Sequence, residues 1–315
     1  MEFSRPKLVV SKCIEFDHCR YDGHQMSSPL VHLLKDHVDF IPVCPEVEIG
    51  LGIPREAVRV VKRGESFYLQ KSMSGDDHTE EMLRFGSEFL NKIPTVHGFI
   101  LKSRSPSCGI KDVKVYPGIG KLTAIPEKKA GFFGEMVLEQ FPGIPIEDEG
   151  RLTNLRIREH FLTVIFLLAE FDSLPEKMGA LVDFHSRHKY LFMACNQKEL
   201  TVAGKIVANH EHKSREEVFL NYKTQLFRII EKIPRYSALI NVIQHLFGYF
   251  SKYLNPQEKA DFFTELELYR RHQIPVIAIV SILRSWIERF DLEYLRKQSF
   301  FNPFPRMLIT SINTS

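Results

Sequence analysis

The chain has 315 residues, 44% of them hydrophobic and 26% charged, with 17 Gly, 17 Pro and a net charge of +3. That is an ordinary globular composition, long enough for two domains with substantial cores. A start without the apolar centre of a signal peptide, a longest apolar run (Phe161 to Ala169) too short for a bilayer, and an odd count of five cysteines argue against secreted, membrane-spanning and disulfide-stapled classes. The expectation is a cytoplasmic protein with reduced thiols.

Residues 7–13 read as a strand, followed by a turn at Arg20-Tyr21-Asp22-Gly23, where glycine is free to take a positive φ. Ser28-Pro29 opens a helix, with Ser as N-cap and Pro at the first helical position, and Leu30, Leu33 and Leu34 mark its inner face. Asp39 to Cys44 is a second strand and Glu48 to Arg55 a Gly/Pro loop. Residues 57–62 and 66–71 form a hairpin around Arg63-Gly64. A helix is expected over Asp76 to Ile93, with acids in its first turn where the macrodipole favours them. Val96 to Leu101 is the central strand. A Gly-rich loop, a helix over Gly131 to Phe141, a strand at Ile144–Ile146 and a closing helix over Leu155 to Phe171 complete this part. Strands alternating with helices predict a mostly parallel, Rossmann-like sheet in an α/β domain over residues 1–171.

From residue 172 no strand pattern remains. Apolar residues recur at helical spacing in Met178–Met193, Glu216–Ile233, Ser237–Leu254, Pro256–His272 and Val276–Leu295, with breaks at Asn255-Pro256 and Ile274-Pro275. An all-α domain over residues 172–315 follows, with Asp172–Pro175 as linker. The charge is uneven as well. Residues 1–171 carry 22 Lys/Arg against 24 Asp/Glu, whereas residues 172–315 carry 20 against 15 and 6 of the 13 His. A basic second half hints at a polyanionic partner.

Three strand-like runs end in a cysteine: Leu8-Val9-Val10-Ser11-Lys12-Cys13, Phe40-Ile41-Pro42-Val43-Cys44-Pro45-Glu46, and Val96 to Leu101 leading into Lys102-Ser103-Arg104-Ser105-Pro106-Ser107-Cys108-Gly109. Open α/β sheets gather ligands past the carboxyl ends of their strands, and three thiols meeting there suggest a soft-metal or iron–sulfur site. The spacing itself is not that of a zinc ribbon or a ferredoxin, and lone cysteines in such domains are commonly small buried hydrophobes. Here each stands among turn-forming and polar residues instead.

Ser11-Lys12-Cys13, Cys19-Arg20-Tyr21-Asp22-Gly23, Cys44-Pro45-Glu46-Val47 with Gly50-Leu51-Gly52-Ile53-Pro54-Arg55, and the run from Lys102 to Gly109 resemble the motifs of the thiouracil desulfidase family, over residues 6–160. The stretch Asp183-Phe184-His185-Ser186-Arg187-His188-Lys189-Tyr190, with Ala194-Cys195-Asn196-Gln197, resembles the helical domain fused to that enzyme in its long form, the bacterial tRNA 4-thiouridine desulfidases. The resemblance implies a 4Fe–4S cluster held by Cys13, Cys44 and Cys108, with one iron left open, a thiophilic Lewis acid to take sulfur from a thiocarbonyl while water replaces it.

The remaining site residues carry two readings each. Glu46 is a candidate acid–base group or an anchor for Arg20 or Arg55. Ser103 and Ser105 bind the substrate or the attacking water, or they satisfy backbone groups of a turn. Arg20, Tyr21 and Asp22 line the pocket or form a structural turn. Cys19 is read as near the cluster without ligating it, and Cys195 as a core residue. Arg187, His188 and Lys189, with Lys205 and Lys213 behind, grip tRNA phosphates or form a solvated helix face. The function implied is removal of sulfur from 4-thiouridine in tRNA. Desulfuration of free thiouracil is the alternative within the same chemistry, and a non-enzymatic RNA-binding or iron–sulfur sensor protein the alternative from another class.

Overall fold

The computed structural model describes residues 3–309. The chain divides into two compact units, one running to Glu170 and including the chain from Arg306 onward, the other Phe171–Pro305. Among the described residues no helix is long and apolar enough to cross a membrane.

In the first unit the elements follow as β1 (Lys7–Ser11), α1 (Pro29–Leu34), β2 (Asp39–Val43), α2 (Pro45–Glu48), β3 (Val58–Arg63), β4 (Ser66–Lys71) and α3 (Thr79–Lys92). After them come β5 (Gly98–Leu101), β6 (Val113–Tyr116), β7 (Ile125–Lys129), α4 (Phe132–Gln140), β8 (Ile146–Asp148) and α5 (Leu155–Asp172). A parallel sheet in the order β2-β1-β5-β8 forms the centre. Leu8, Val9 and Val10 of β1 and Phe99, Ile100 and Leu101 of β5 are fully enclosed, as expected of parallel strands covered on both faces. Ser28 caps α1 by accepting the Val31 N–H, with Pro29 at the first helical position.

The chain leaves β1 for β2 on one side and returns to β5 on the other, so the strand order reverses at β1 and a crevice opens beyond the carboxyl ends. Register keeps those ends level: Ser11 pairs with Val43, and Val10 pairs with Ile100. Cys13 follows β1 by two residues, Cys44 follows β2 directly, Lys102-Ser103 follow β5, and Glu149 follows β8.

A second sheet, β4-β3-β6-β7, lies outside the sequence-based expectation. The hairpin around Arg63-Gly64 belongs to it, with Arg63 opposite Ser66. Residues 113–129 form β6, parallel to β3, and β7, antiparallel to β6, where a Gly-rich loop was expected. Only Val113 and Val115 face the core there, an alternation too short to stand out among polar neighbours. The first strand stops at Ser11 rather than Cys13, because the Ile14 N–H turns back onto the Ser11 carbonyl at 2.8 Å.

The second unit is all helix: α6 (Met178–Arg187), α7 (Lys189–Ala208), α8 (Arg215–Ile230), α9 (Tyr236–Phe250), α10 (Pro256–Arg270), α11 (Val276–Arg289) and α12 (Glu293–Arg296). Leu246, Phe250, Phe262, Leu283 and Trp286 centre its core. Asn255 and Glu258 close a capping box at the start of α10. The single helix expected over Met178–Met193 is instead two, meeting at His188. The second continues to Ala208 through a kink at Asn196, whose side chain accepts the Glu199 N–H like an internal cap.

α4 is pressed against the Cys108 loop. The Phe132 and Gly134 N–H groups donate to the Pro106 and Ser107 carbonyls at 3.1 and 2.9 Å, so its first turn finds its acceptors in that loop. An added Cβ at Gly134 would stand 2.5 Å from the Gly109 carbonyl oxygen and 2.8 Å from that of Cys108. Gly134→Ala should therefore destabilise the first unit by about 1–3 kcal/mol, the usual cost of overpacking, read as a lowered urea midpoint. An unmoved midpoint would mean that the helix and the loop part without cost.

Candidate active site

Four thiols line one cavity of about 220 Å³ in the first unit: Cys13, Cys19, Cys44 and Cys108. Each is placed by backbone geometry. The Lys12 N–H donates to the Val43 carbonyl at 2.8 Å, which ties the exits of β1 and β2 together, and the Met26 N–H holds the Cys13 carbonyl at 2.7 Å. Cys44 is the residue before the first turn of α2, its thiol donating to the Cys19 carbonyl at 3.7 Å. Cys108 sits in a tight loop whose Ser105 Oγ accepts the backbone N–H groups of Ser107 and Cys108 at 3.2 and 3.1 Å. That is the turn-capping role for Ser105.

The thiols feel one another. A hydrogen bond with Cys13 pushes the Cys19 thiol up to about 11, more than the opposing bond with Cys44 offsets, and burial adds to the rise. Cys44 is raised by its bond to Cys19 and by burial. Cys108 is raised by burial, against hydrogen bonds from Ser11 and Ser105. Metal ligation requires these protons to leave. Among the described residues no three His, Cys, Asp or Glu side chains converge to hold a single metal ion. Soft thiols spread around a cavity of this size suit a group of several irons instead, so the donor set fits an iron–sulfur cluster.

Glu46 reaches the cavity from α2, and its carboxylate is fully engaged. Oε2 accepts Arg55 Nε at 3.0 Å and Nη2 at 2.6 Å, while Oε1 accepts the Ser107 hydroxyl at 2.9 Å. The Arg55 side chain is 4% exposed, and its Nη1 donates to the carbonyls of Cys19 and Gly52 at 3.0 and 2.9 Å. This geometry is the anchoring arrangement for Glu46.

Arg20 and Tyr21 line the cavity, with Tyr21 46% exposed. Asp22 is turned to structure: it takes Arg20 Nε at 3.3 Å and the His24 N–H at 3.2 Å. Ser103 also lines the cavity, and its hydroxyl donates to Glu149 at 2.6 Å. Glu149 escaped the sequence reading, which ended the strand before it at Ile146. Carried on to Asp148, the strand-end rule that singled out the cysteines would have reached it.

In the helical unit the basic stretch is divided by the turn between α6 and α7. Arg187 pairs with Asp183 at 2.6 Å. His188 needs correction as a phosphate-gripping residue: it is 3% exposed, bonded to Ser299 Oγ at 2.6 Å and packed between the Phe184 and Phe192 rings. Lys189 and Lys205 are exposed, whereas Lys213 pairs with Glu211 and Glu217 at 3.1 and 3.2 Å. Cys195, half-buried, has its thiol pushed up to about 12 by burial.

Comparison with known proteins adds to this geometry. Residues 8–149 match the 2-thiouracil desulfurase family model. The first unit resembles the 2-thiouracil desulfurases. Residues 189–305 match DUF1722, a family described as being of unknown function. YbgA of Escherichia coli (strain K12) is 27% identical over 157 residues, 49% of this chain and 93% of YbgA. YbbK of Bacillus subtilis (strain 168) is 29% identical over 109 residues, 32% of this chain and 72% of YbbK. A solved [4Fe-4S]-dependent thiouracil desulfidase, TudS, is 25% identical over 47% of this chain and 93% of its own, with a TM-score of 0.37. The desulfurase-like unit thus holds all four thiols of the cavity.

The Arg55 guanidinium ties three segments of this unit to one carboxylate. Arg55→Ala would leave Glu46 buried without its partner, which costs about 3–5 kcal/mol when a buried pair is broken. Urea unfolding of the metal-free protein should show this loss, with a smaller one for Arg55→Lys, which keeps the charge without the fork. Equal stability in Arg55→Ala would show the pair to be dispensable.

Proposed function

We propose that the chain is an iron–sulfur desulfidase that converts a thiolated pyrimidine to its oxygen counterpart, releasing sulfide. The observation that carries this reading is the gathering of Cys13, Cys44 and Cys108 past three parallel strand ends around one cavity that also holds Ser103. A 4Fe–4S cluster on those three cysteines would supply a thiophilic iron without a protein ligand of its own. The rest falls to this chain's own groups. Arg20 and Tyr21 at the cavity wall offer a cation and an aromatic face to a pyrimidine. Ser103 offers a hydroxyl to the substrate or its water.

The finer reading is that the pyrimidine is 4-thiouridine within tRNA. It draws on the surplus positive charge of residues 172–315 and on exposed Lys189 and Lys205. A nucleotide in folded tRNA must be turned out of its stack to enter such a cavity. Free thiouracil is the second reading, favoured by the Arg187–Asp183 pair and by buried His188, which take two cations out of the phosphate-binding set.

Anaerobic reconstitution should give brown protein with about four irons per chain. Cys13→Ser, Cys44→Ser and Cys108→Ser should each lose the colour, whereas Cys195→Ser keeps it. Full iron retention in any of the first three sinks the cluster assignment.

Reversing Lys189 and Lys205 to Glu should weaken tRNA binding whether or not the RNA is thiolated, and flatten its salt dependence by roughly one unit of slope for each phosphate no longer neutralised. Turnover of free thiouracil should survive. Unchanged tRNA affinity together with efficient turnover of free thiouracil would decide for the second reading.

A further inference from the structure

Beyond the carboxyl end of β8, a carboxylate approaches the site from the sheet edge opposite β2. Glu149 Oε2 accepts the Ser103 backbone N–H at 2.8 Å, and its Oε1 accepts the Ser103 hydroxyl at 2.6 Å. The same Oε1 takes the Lys102 ammonium, which also donates to Ser103 Oγ at 2.9 Å. The Lys102 and Glu149 side chains are 18% and 11% exposed. Lys102 and Ser103 line the cavity, and Glu149 stands behind them.

This arrangement fixes the direction of one proton. Ser103 Oγ accepts from Lys102, which cannot accept in return, so the hydroxyl proton points at Glu149. Burial alone would push the Glu149 carboxyl up, but the hydrogen bonds from Lys102 and Ser103 outweigh it and hold it below its usual range. It is therefore an anion at neutral pH. The other candidates are committed elsewhere: both Glu46 oxygens to Arg55 and Ser107, and the Ser105 oxygen to two backbone N–H groups. Ser103 is the cavity hydroxyl with a carboxylate poised to take its proton.

We infer that Lys102, Ser103 and Glu149 form the proton relay of the site. Ser103 is the group that meets the attacking water, Glu149 the positioning base behind it, and Lys102 the cation that aligns both. The inference rests on the desulfidase reading. As water adds to the thiocarbonyl carbon, it gives one proton to Ser103 Oγ while the serine's own proton passes to Glu149. The carbon–oxygen bond forms, and the carbon–sulfur bond breaks with its electron pair leaving on sulfur. The relayed proton returns through Ser103 and, with the second proton of the water, ends on that sulfur. A thiocarbonyl and one water thus become a carbonyl and hydrogen sulfide, with nothing oxidised or reduced.

A brace between the ends of β5 and β8 would use the same contacts, and two variants of the reconstituted full-length protein tell them apart. Glu149→Gln keeps the shape and an acceptor for the Ser103 N–H but cannot take a proton. Ser103→Ala removes the hydroxyl and leaves the Lys102–Glu149 pair in place. In both, iron content and thiouracil affinity should stay at the wild-type level while kcat falls by about 10²-fold or more, a loss confined to the chemical step. Formate should restore part of the rate to Glu149→Ala, which a brace would not allow. Wild-type kcat in either variant overturns the relay, as does loss of iron in both. If Glu149→Gln alone loses iron, the kcat of Ser103→Ala decides. A wild-type protein with its full iron but no turnover overturns the desulfidase reading and the relay with it.

Discussion

The buried Glu46–Arg55 ion pair is the constraint on which the site depends. An arginine this enclosed must satisfy its N–H groups internally, and it does so on Glu46 and on the carbonyls of Cys19 and Gly52. Those contacts draw the Cys19 loop, the first turn of α2 and the Gly50–Arg55 loop onto one point. Glu46 passes the constraint on through Ser107 to the Cys108 loop. The pair's worth lies less in net stability than in fixing where segments distant in sequence must meet, so that the thiols face a common space.

Backbone geometry supplies the rest of the placement. Parallel pairing levels the strand exits, and a short turn at each exit aims a side chain inward. The Cys108 loop, held between the Ser105 cap and the first turn of α4, has almost no freedom. Such a support suits a site whose thiols must be held apart as well as together.

The parallel strands were legible because their apolar runs are unbroken and their exits abruptly polar. β6 and β7 were not, since each shows the core only one or two apolar residues. The thiols were legible as a group from their common position after a strand. The engagement of Glu46 was open between two readings, because sequence does not say whether a carboxylate will find an arginine nine residues on. Lys102 was quoted only as part of a motif, although its ammonium links Ser103 to Glu149, a pairing 47 residues apart in sequence that depends on β5 and β8 lying side by side. The α6–α7 turn was hidden for another reason: the apolar period runs on through His188, which packs inward like the residues around it.

Delivery of the site by separate strand ends also orders the folding of the chain. Cys13, Cys44, Cys108 and Glu149 belong to exits that become neighbours only when parallel strands have closed over intervening crossovers, the slow, non-local kind of contact. A nascent chain shorter than the Cys108 loop can present at most the first three of the four thiols, without the loop and helix that complete the wall. The pocket is thus finished late, and the growing polypeptide offers stray metal ions no assembled nest of thiols while it is being made.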